Sequence, residues 1–389
     1  MLSTRGYRYE LKPNASQRIL LAKHAGTARF AYNWALKRRI DQYEKDKKST
    51  NAMAQHRELN AIKQTELPWM YEVSKCAAQE ALRDLDKAFR NFYRGLKGKR
   101  KIGFPRYRKK GIDDRFRLTG SIHVLAKAVQ LPRLGNLRLK EVPNTGGRIL
   151  SASISREADR WFVSLTTEQE LPEPKPVIGE AIGIDVGLTA FAVGSDENKI
   201  ISPKPLGRNL RRLKRLSKQH SRKVKGSKNR REMSFKLARL HRRVKNIRLD
   251  FLHKLSTKLA KTKSVIVVED LNVSGLIQNQ RLSRHIADAG WGTFRNMLDY
   301  KCRWYGSELK MVPRFFASSK LCSNCGAKKE KLALHERTWL CEACGAQHDR
   351  DINAAKNLLS WSTVSSTGIN ACGESSGGVG SFSQLAMVH

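Results

Sequence analysis

Acidic residues are scarce in this 389-residue chain: 35 Asp and Glu stand against 75 Lys and Arg, leaving a formal net charge of +40. An imbalance of that size is too large for incidental surface decoration, and nucleic acid is the expected partner. Long apolar runs are missing too. No stretch approaches the roughly 20 residues that span a bilayer, and no signal-peptide pattern opens the chain, which argues against both membrane insertion and secretion. A cationic protein of the membrane surface is the weaker reading, and a soluble, cytoplasmic protein is expected. Cysteine is sparse and uneven. Of seven, four form one spaced cluster while Cys76, Cys302 and Cys372 are scattered, which is the usage of a metal site in a reducing compartment and not a disulfide framework.

What is present reads as several domains, since the chain is 40% hydrophobic and single cores rarely grow beyond about 250–300 residues. The start, Gly6 to Leu11, alternates like a strand, and Pro13 to Ser16 supply turn and cap chemistry before a helical pattern carrying Leu20, Leu21, Ala28, Phe30, Ala31, Trp34 and Ala35. Helices are expected to about Tyr93. The basic segment Lys97 to Lys110 contains Gly103-Phe104-Pro105-Arg106-Tyr107-Arg108, which suits either a phosphate-binding or base-stacking surface or an ordinary charged loop. Short alternating runs from Phe116 to Thr167 predict antiparallel β structure, with a small barrel as the expected closure. The proline cluster at Pro172, Pro174 and Pro176 reads as a linker. Beyond it, apolar strands at Ile182 to Val186, Phe191 to Val193 and Val265 to Val268 alternate with helices, as in a sheet covered by helices. Arg208 to Arg248 hold eighteen Lys or Arg against the single acid Glu232. Leu237, Leu240, Val244, Ile247 and Phe251 recur there at helical steps after a turn near Gly226, which predicts one packed face and a cationic remainder for nucleic acid. Thr363 to His389, rich in Ser and Gly, read as a disordered tail.

Three carboxylates occupy unusual positions. Asp185 lies in the strand-like Gly183-Ile184-Asp185-Val186-Gly187, a local signature shared with sugar-kinase and actin-like ATPases. Glu269 ends the apolar run Val265 to Val268, where an unpaired charge is expensive. Asp351 opens a helical segment whose Ala354 and Ala355 would allow close packing on a sheet. A small anionic pocket within a cationic protein suggests a metal-dependent nuclease, because Mg²⁺ takes oxygen ligands and is shared with phosphate. Spacing alone does not separate Asp349 from Asp351. The four cysteines, Cys322, Cys325, Cys341 and Cys344, form two CxxC pairs separated by fifteen residues, the spacing of a closed, structural Zn²⁺ site. His335 lies between the pairs and is expected on the surface, since four sulfurs complete the shell.

Together these segments resemble the TnpB family, transposon-encoded RNA-guided nucleases related to type V CRISPR effectors. The resemblance rests on Tyr9 to Asn14, Gly103 to Tyr107, Gly183 to Gly187, Asp288-Ala289-Gly290-Trp291-Gly292, the CxxC pairs and His348 to Ala355. It implies an α/β multidomain protein with an RNase H-like (RuvC) nuclease domain, an inserted zinc ribbon, a helical recognition domain and a small β-barrel wedge domain. The implied divisions are a wedge strand at 1–15, the recognition domain at 16–115, the wedge barrel at 116–177, the nuclease domain at 178–315 and 348–362, the ribbon at 316–347 and the tail at 363–389. It makes Asp185, Glu269 and Asp351 the catalytic triad, selecting Asp351 over Asp349. Two Mg²⁺ ions about 3.5–4 Å apart would then serve phosphodiester hydrolysis. The expected partners are a guide RNA and double-stranded target DNA bearing a short flanking motif, with the protein a monomer on RNA. The alternatives are a nuclease-inactive, RNA-guided DNA-binding repressor and a DNA transposase without a guide.

Overall fold

The computed structural model describes residues 2–98, 102–333 and 335–366, with side chains to residue 363. The chain divides into two compact units whose boundary in sequence is Leu171/Pro172, at the proline cluster.

In the first unit β1 (Leu2–Leu11) leads into α1 (Ala15–Asp46), α2 (Ala52–Lys63) and α3 (Lys75–Lys97). Asn14 starts α1 with a reciprocal capping box to Gln17, satisfying amides that the first turn leaves without partners. Ala25, Ala28, Ala31 and Ala35 of α1 and Ala77, Ala78 and Ala81 of α3 are buried, and these small side chains let the two helices pack closely. The β strands follow: β2 (Arg115–Leu118), β3 (His123–Leu125), β4 (Ala128–Leu131), β5 (Gly135–Arg138), β6 (Arg148–Glu157) and β7 (Arg160–Glu170). They form two antiparallel sheets, ordered β1-β7-β6-β2 and β3-β4-β5, joined by a single bridge between Leu11 and Leu139. The expected barrel is therefore not closed among the described residues. Phe116 and Leu118 of β2 share one core with Leu21 and Leu36 of α1 and with Leu82 and Leu85 of α3, so helices cover the sheet that a barrel would have to curl. The Gly103 to Arg108 segment is also spent on packing: Phe104 stands edge-on to Phe89 and Phe92 at 5.5 and 5.3 Å, and the Arg108 guanidinium lies 3.9 Å over Tyr32.

The second unit is built on β8 (Ile182–Val186), β9 (Ala192–Gly194), β10 (Lys199–Ile200), β11 (Val265–Glu269) and β12 (Glu308–Val312), in the order β10-β9-β8-β11-β12. The first three are antiparallel, and β8, β11 and β12 are parallel. The long connection from β10 to β11 is a helical hairpin, α4 (Pro205–Ser221) and α5 (Lys228–Thr262), turning through Gly226 at φ +89°. Short helices α6 (Val273–Leu276) and α7 (Ser283–Ala289) precede α8 (Trp291–Tyr305). A small ribbon, β13 (Thr338–Leu340) and β14 (Gln347–Asp349), leads directly into α9 (Arg350–Ser366). Positions 363–366, assigned to the tail from sequence, thus continue α9, and the remainder of that segment lies outside the described residues.

Strand alternation decides the two faces of this sheet. Ile182, Ile184, Ile266 and Val268 point into a core with Leu252, Leu255, Phe294 and Leu298 of α5 and α8. Val267 and Val312 point the other way, onto Leu358 of α9.

Candidate active site

Asp185 and Glu269 each follow the last paired residues of adjacent parallel strands, Ile184 and Val268. They therefore emerge side by side at the same sheet end, on the α9 face. Gly183, two residues before Asp185 and on the same face, admits α9 so closely that a Cβ there would overlap the Ala355 carbonyl and lie 2.8 Å from the Leu359 amide nitrogen. Asp351 is one helical turn before Ala355, which brings it over Asp185. Electrostatics records the convergence: the Asp185 carboxyl is pushed from its ordinary 3.8 to about 7, first by burial, then by the charges of Asp351 and Glu269, with Arg350 opposing. Burial, and next the neighbouring Asp270, also push Glu269 upward.

The surrounding charges pair with the neighbouring acids. Asp270, beside Glu269, is paired with two arginines, Arg295 at 2.6 Å and Arg314 at 2.8 Å. Asp349 accepts from the amides of Asp351 (3.0 Å) and Ile352 (3.2 Å) and pairs with Lys199 at 2.7 Å. It is the cap of α9, and the Lys199 hydrogen bond and the two amides hold its carboxyl below the usual range although burial opposes them. Asp351 has a looser partner, Arg337 at 3.6 Å.

Among the described residues only the four cysteines bring all their ligand atoms within 4.8 Å of one another. The carboxylates are therefore more widely set than a single-ion cage. The three acids at this sheet end offer oxygen donors only, the kind that hard divalent cations take.

The cysteine cluster is built from two matching turns, Cys-x-x-Cys-Gly-Ala. Cys322 N and Cys341 N donate to Ala327 O and Ala346 O at 2.8 and 2.9 Å, and Gly326 and Gly345 take φ of +78° and +69°, values that favour glycine. The Sγ separations Cys322 to Cys344 and Cys325 to Cys341 are 3.7 and 3.6 Å. Four sulfurs about 2.3 Å from a tetrahedral Zn²⁺ are about 3.8 Å apart, so the cluster fits that ion and leaves no open position.

The sequence matches the family described as "Probable transposase" (OrfB of IS605) at residues 164–280, "Cas12f1-like, TNB domain" at 291–358 and "Helix-turn-helix domain" at 1–48. Over that last range the structure has β1 and the continuous α1. A "Putative RNA-guided DNA endonuclease" of Streptomyces pristinaespiralis is 38% identical over 380 residues, spanning 95% of this chain and 91% of the relative. The chain belongs to the TnpB, or IS605 OrfB, family. "Putative RNA-guided DNA endonuclease InsQ" of Escherichia coli is 30% identical, covering 96% of this chain and 95% of that one. The fold is similar to that of Cas12f1 in a complex with guide RNA and target DNA, with a TM-score of 0.55 at 15% identity over 92% of this chain and 98% of that chain.

Several residues of TnpB character gain a physical role that their sequence did not disclose. Asp288 of the Asp288 to Gly292 motif is buried and accepts from the Leu206 and Gly207 amides at 3.0 Å and from Arg248 at 2.8 Å. It caps α4 from a distance, as Lys204 at the helix start offers no side-chain cap. Asn353 and Asn357 are buried in α9 and bond the first cysteine turn: Asn353 Nδ2 and Asn357 Nδ2 each donate to Leu321 O at 2.7 Å, and Ser323 N donates to Asn353 Oδ1 at 2.9 Å. Two asparagines four apart, flanking the buried alanines, were the available signal. His348, not the exposed His335, is the histidine beside the cysteine cluster, with Nε2 3.0 Å from Cys322 Sγ and its ring against Trp339.

Proposed function

We propose that this chain is an RNA-guided DNA endonuclease whose catalytic acids are Asp185, Glu269 and Asp351, dependent on two Mg²⁺ ions and carrying structural Zn²⁺ on Cys322, Cys325, Cys341 and Cys344. The observation that carries the reading is the convergence of three acids, from β8, β11 and α9, that raises Asp185 to about 7. Like charges are not assembled at one sheet end without something to neutralise them. Asp185, Glu269 and Asp351 would hold the divalent ions, which would supply an activated water at neutral pH and charge compensation at the departing 3′ oxygen. The protein's part is placement. Strand register sets Asp185 beside Glu269, Gly183 lets α9 descend far enough to add Asp351, and Arg295 and Arg314 neutralise the adjacent Asp270.

Guide RNA and target DNA as partners are supported by the printed names of the relatives and by the charge distribution. The α4–α5 hairpin presents a cationic surface suited to phosphate backbones, which predicts an affinity that falls steeply with salt. The helices at 16–115 and the strands at 116–177 are assigned the recognition and wedge roles, and the complex is assigned one protein per RNA.

Purified protein, with and without its co-expressed RNA, incubated with matched plasmid and Mg²⁺ tests the reading. Cleavage is expected only with RNA and is expected to vanish in excess chelator or on Asp185→Ala. Binding without cleavage would instead identify a repressor, and strand joining without RNA a transposase.

A further inference from the structure

Phe315 is 98% exposed, although it directly precedes a phenylalanine, Phe316, that packs against the cluster of Val267, Val312 and Leu358. The two are separated by the geometry of a tight turn in which Phe316 N donates to Pro313 O at 3.1 Å. One ring is an anchor and its neighbour is driven outward. The turn is fixed on its other side as well, because Arg314 Nε donates to both the carbonyl and the carboxylate of Asp270, at 3.1 and 2.8 Å. Phe315 is therefore held out in water by a turn bonded on both sides, where an exposed aromatic surface is unfavourable.

Its position gives that exposure a purpose. Val312 of β12 pairs with Glu269 of β11, so Phe315 lies three residues, at most about 10 Å of chain, beyond the partner of a candidate catalytic acid. Arg314 precedes it in the chain, and Arg314 and Arg295, which meet at Asp270, are 48% and 44% exposed. An aromatic face beside cationic side chains is the combination that holds single-stranded nucleic acid, with bases on the ring and phosphates on the charges.

We infer that Phe315 is a positioning residue that stacks on one nucleobase of the DNA strand being cut, close to the phosphodiester at Asp185, Glu269 and Asp351, and so sets where along the strand cleavage falls. This inference rests on the nuclease reading above. Base stacking on one aromatic ring corresponds to about tenfold or more in affinity.

The test uses the protein with its co-expressed guide and matched target DNAs, each carrying a single abasic nucleotide at successive positions around the cut. Wild-type protein is expected to lose about tenfold in cleavage efficiency at one abasic position. Phe315→Ala is expected to lose the same factor on intact DNA, to show no further loss at that position, and to shift or broaden the cut site. Phe315→Trp restores the wild-type pattern and Phe315→Leu does not, while melting temperature stays unchanged in all three because the side chain makes no core contact. Equal efficiency and cut position in Phe315→Ala and wild type, or a loss independent of the abasic position, overturns the stacking role. In either case loss of cleavage by Asp185→Ala would leave the nuclease reading standing, whereas cleavage retained by Asp185→Ala would remove both.

Discussion

Gly183 of β8 meets Ala355 of α9 backbone to backbone, so that any Cβ at 183 would overlap the Ala355 carbonyl oxygen and press the Leu359 amide at 2.8 Å. The helix that carries Asp351 is seated by the absence of a side chain two residues before Asp185. Neither neighbour is a flexible side chain, so relief requires moving α9 off the sheet. Gly183→Ala is expected to destabilise by about 3 kcal/mol, lower the melting temperature and reduce cleavage by more than that loss of folded protein explains. Gly103→Ala, where a Cβ meets nothing within 4 Å, is the control. A Gly183→Ala protein with wild-type melting and cleavage would show that α9 is not held by this contact.

Asp349 and Asp351, two residues apart, are predicted to separate cleanly by mutation. Asp349→Ala removes a helix cap and the Lys199 pair; the cap alone is worth about 1 kcal/mol, and the exposed pair adds little. The expected result is a lower melting temperature with cleavage reduced only a few-fold. Asp351→Ala leaves the cap intact and removes a charge that faces Asp185, so cleavage is expected to fall by about 10³-fold with little change in stability. Thermal melts and single-turnover cleavage of the two variants check this, and the opposite ranking would make Asp349 the catalytic acid.

The cysteine ribbon and α9 share hydrogen bonds through Asn353, which joins Ser323 N and Leu321 O of the first cysteine turn. Cys341→Ala is expected to lose the bound zinc, and with it most activity. Asn353→Ala leaves all four sulfurs in place but deprives a buried amide of its acceptor, a cost of about 1–3 kcal/mol. It is expected to keep one zinc per chain while cleavage falls about tenfold. Metal analysis beside activity distinguishes the two. If Asn353→Ala retained full activity, the ribbon's contribution would not pass through this bond.

The sequence carried the parts of this site that depend on local pattern. Glu269 was visible because an acid after a run of apolar strand residues is rare, Asp185 from its glycine-flanked strand text and the family resemblance, and the CxxC pairs because their spacing is that of one shared ion. The packed face of α5 and the turn before it were legible, from Leu240 and Val244 at four-residue spacing, both buried, and from Gly226; the first helix of the hairpin was not. What was not legible depends on partners distant in sequence. The open β sheets replaced an expected barrel because α1 and α3 cover β2, and no alternation within 116–177 encodes that. Asp288 caps a helix 82 residues earlier. Asn353 and His348 act on turns about thirty residues away, and their roles follow from packing and not from their neighbours in the chain.

The raised carboxyl of Asp185 makes a prediction about pH that has a definite sign. Its value in the folded protein, about 7, exceeds the ordinary 3.8, so folding favours the protonated form. The stability associated with that proton is complete below pH 4 and is lost progressively as pH rises through 7. In metal-free protein Asp185→Asn, which mimics the neutral acid, is therefore expected to melt above wild type, by about 2–5 °C at pH 8, with the difference shrinking toward pH 5. Mg²⁺ reverses the order because cations bind the ionised wild-type cluster and not the amide. By the same logic wild-type cleavage at sub-saturating Mg²⁺ rises between pH 6 and 8, as ions compete with one fewer proton. Melting curves of both proteins at pH 5 and 8, with Mg²⁺ or chelator, decide the matter: a wild-type protein more stable than Asp185→Asn at pH 8 in chelator would mean that the three acids do not repel one another in the folded chain.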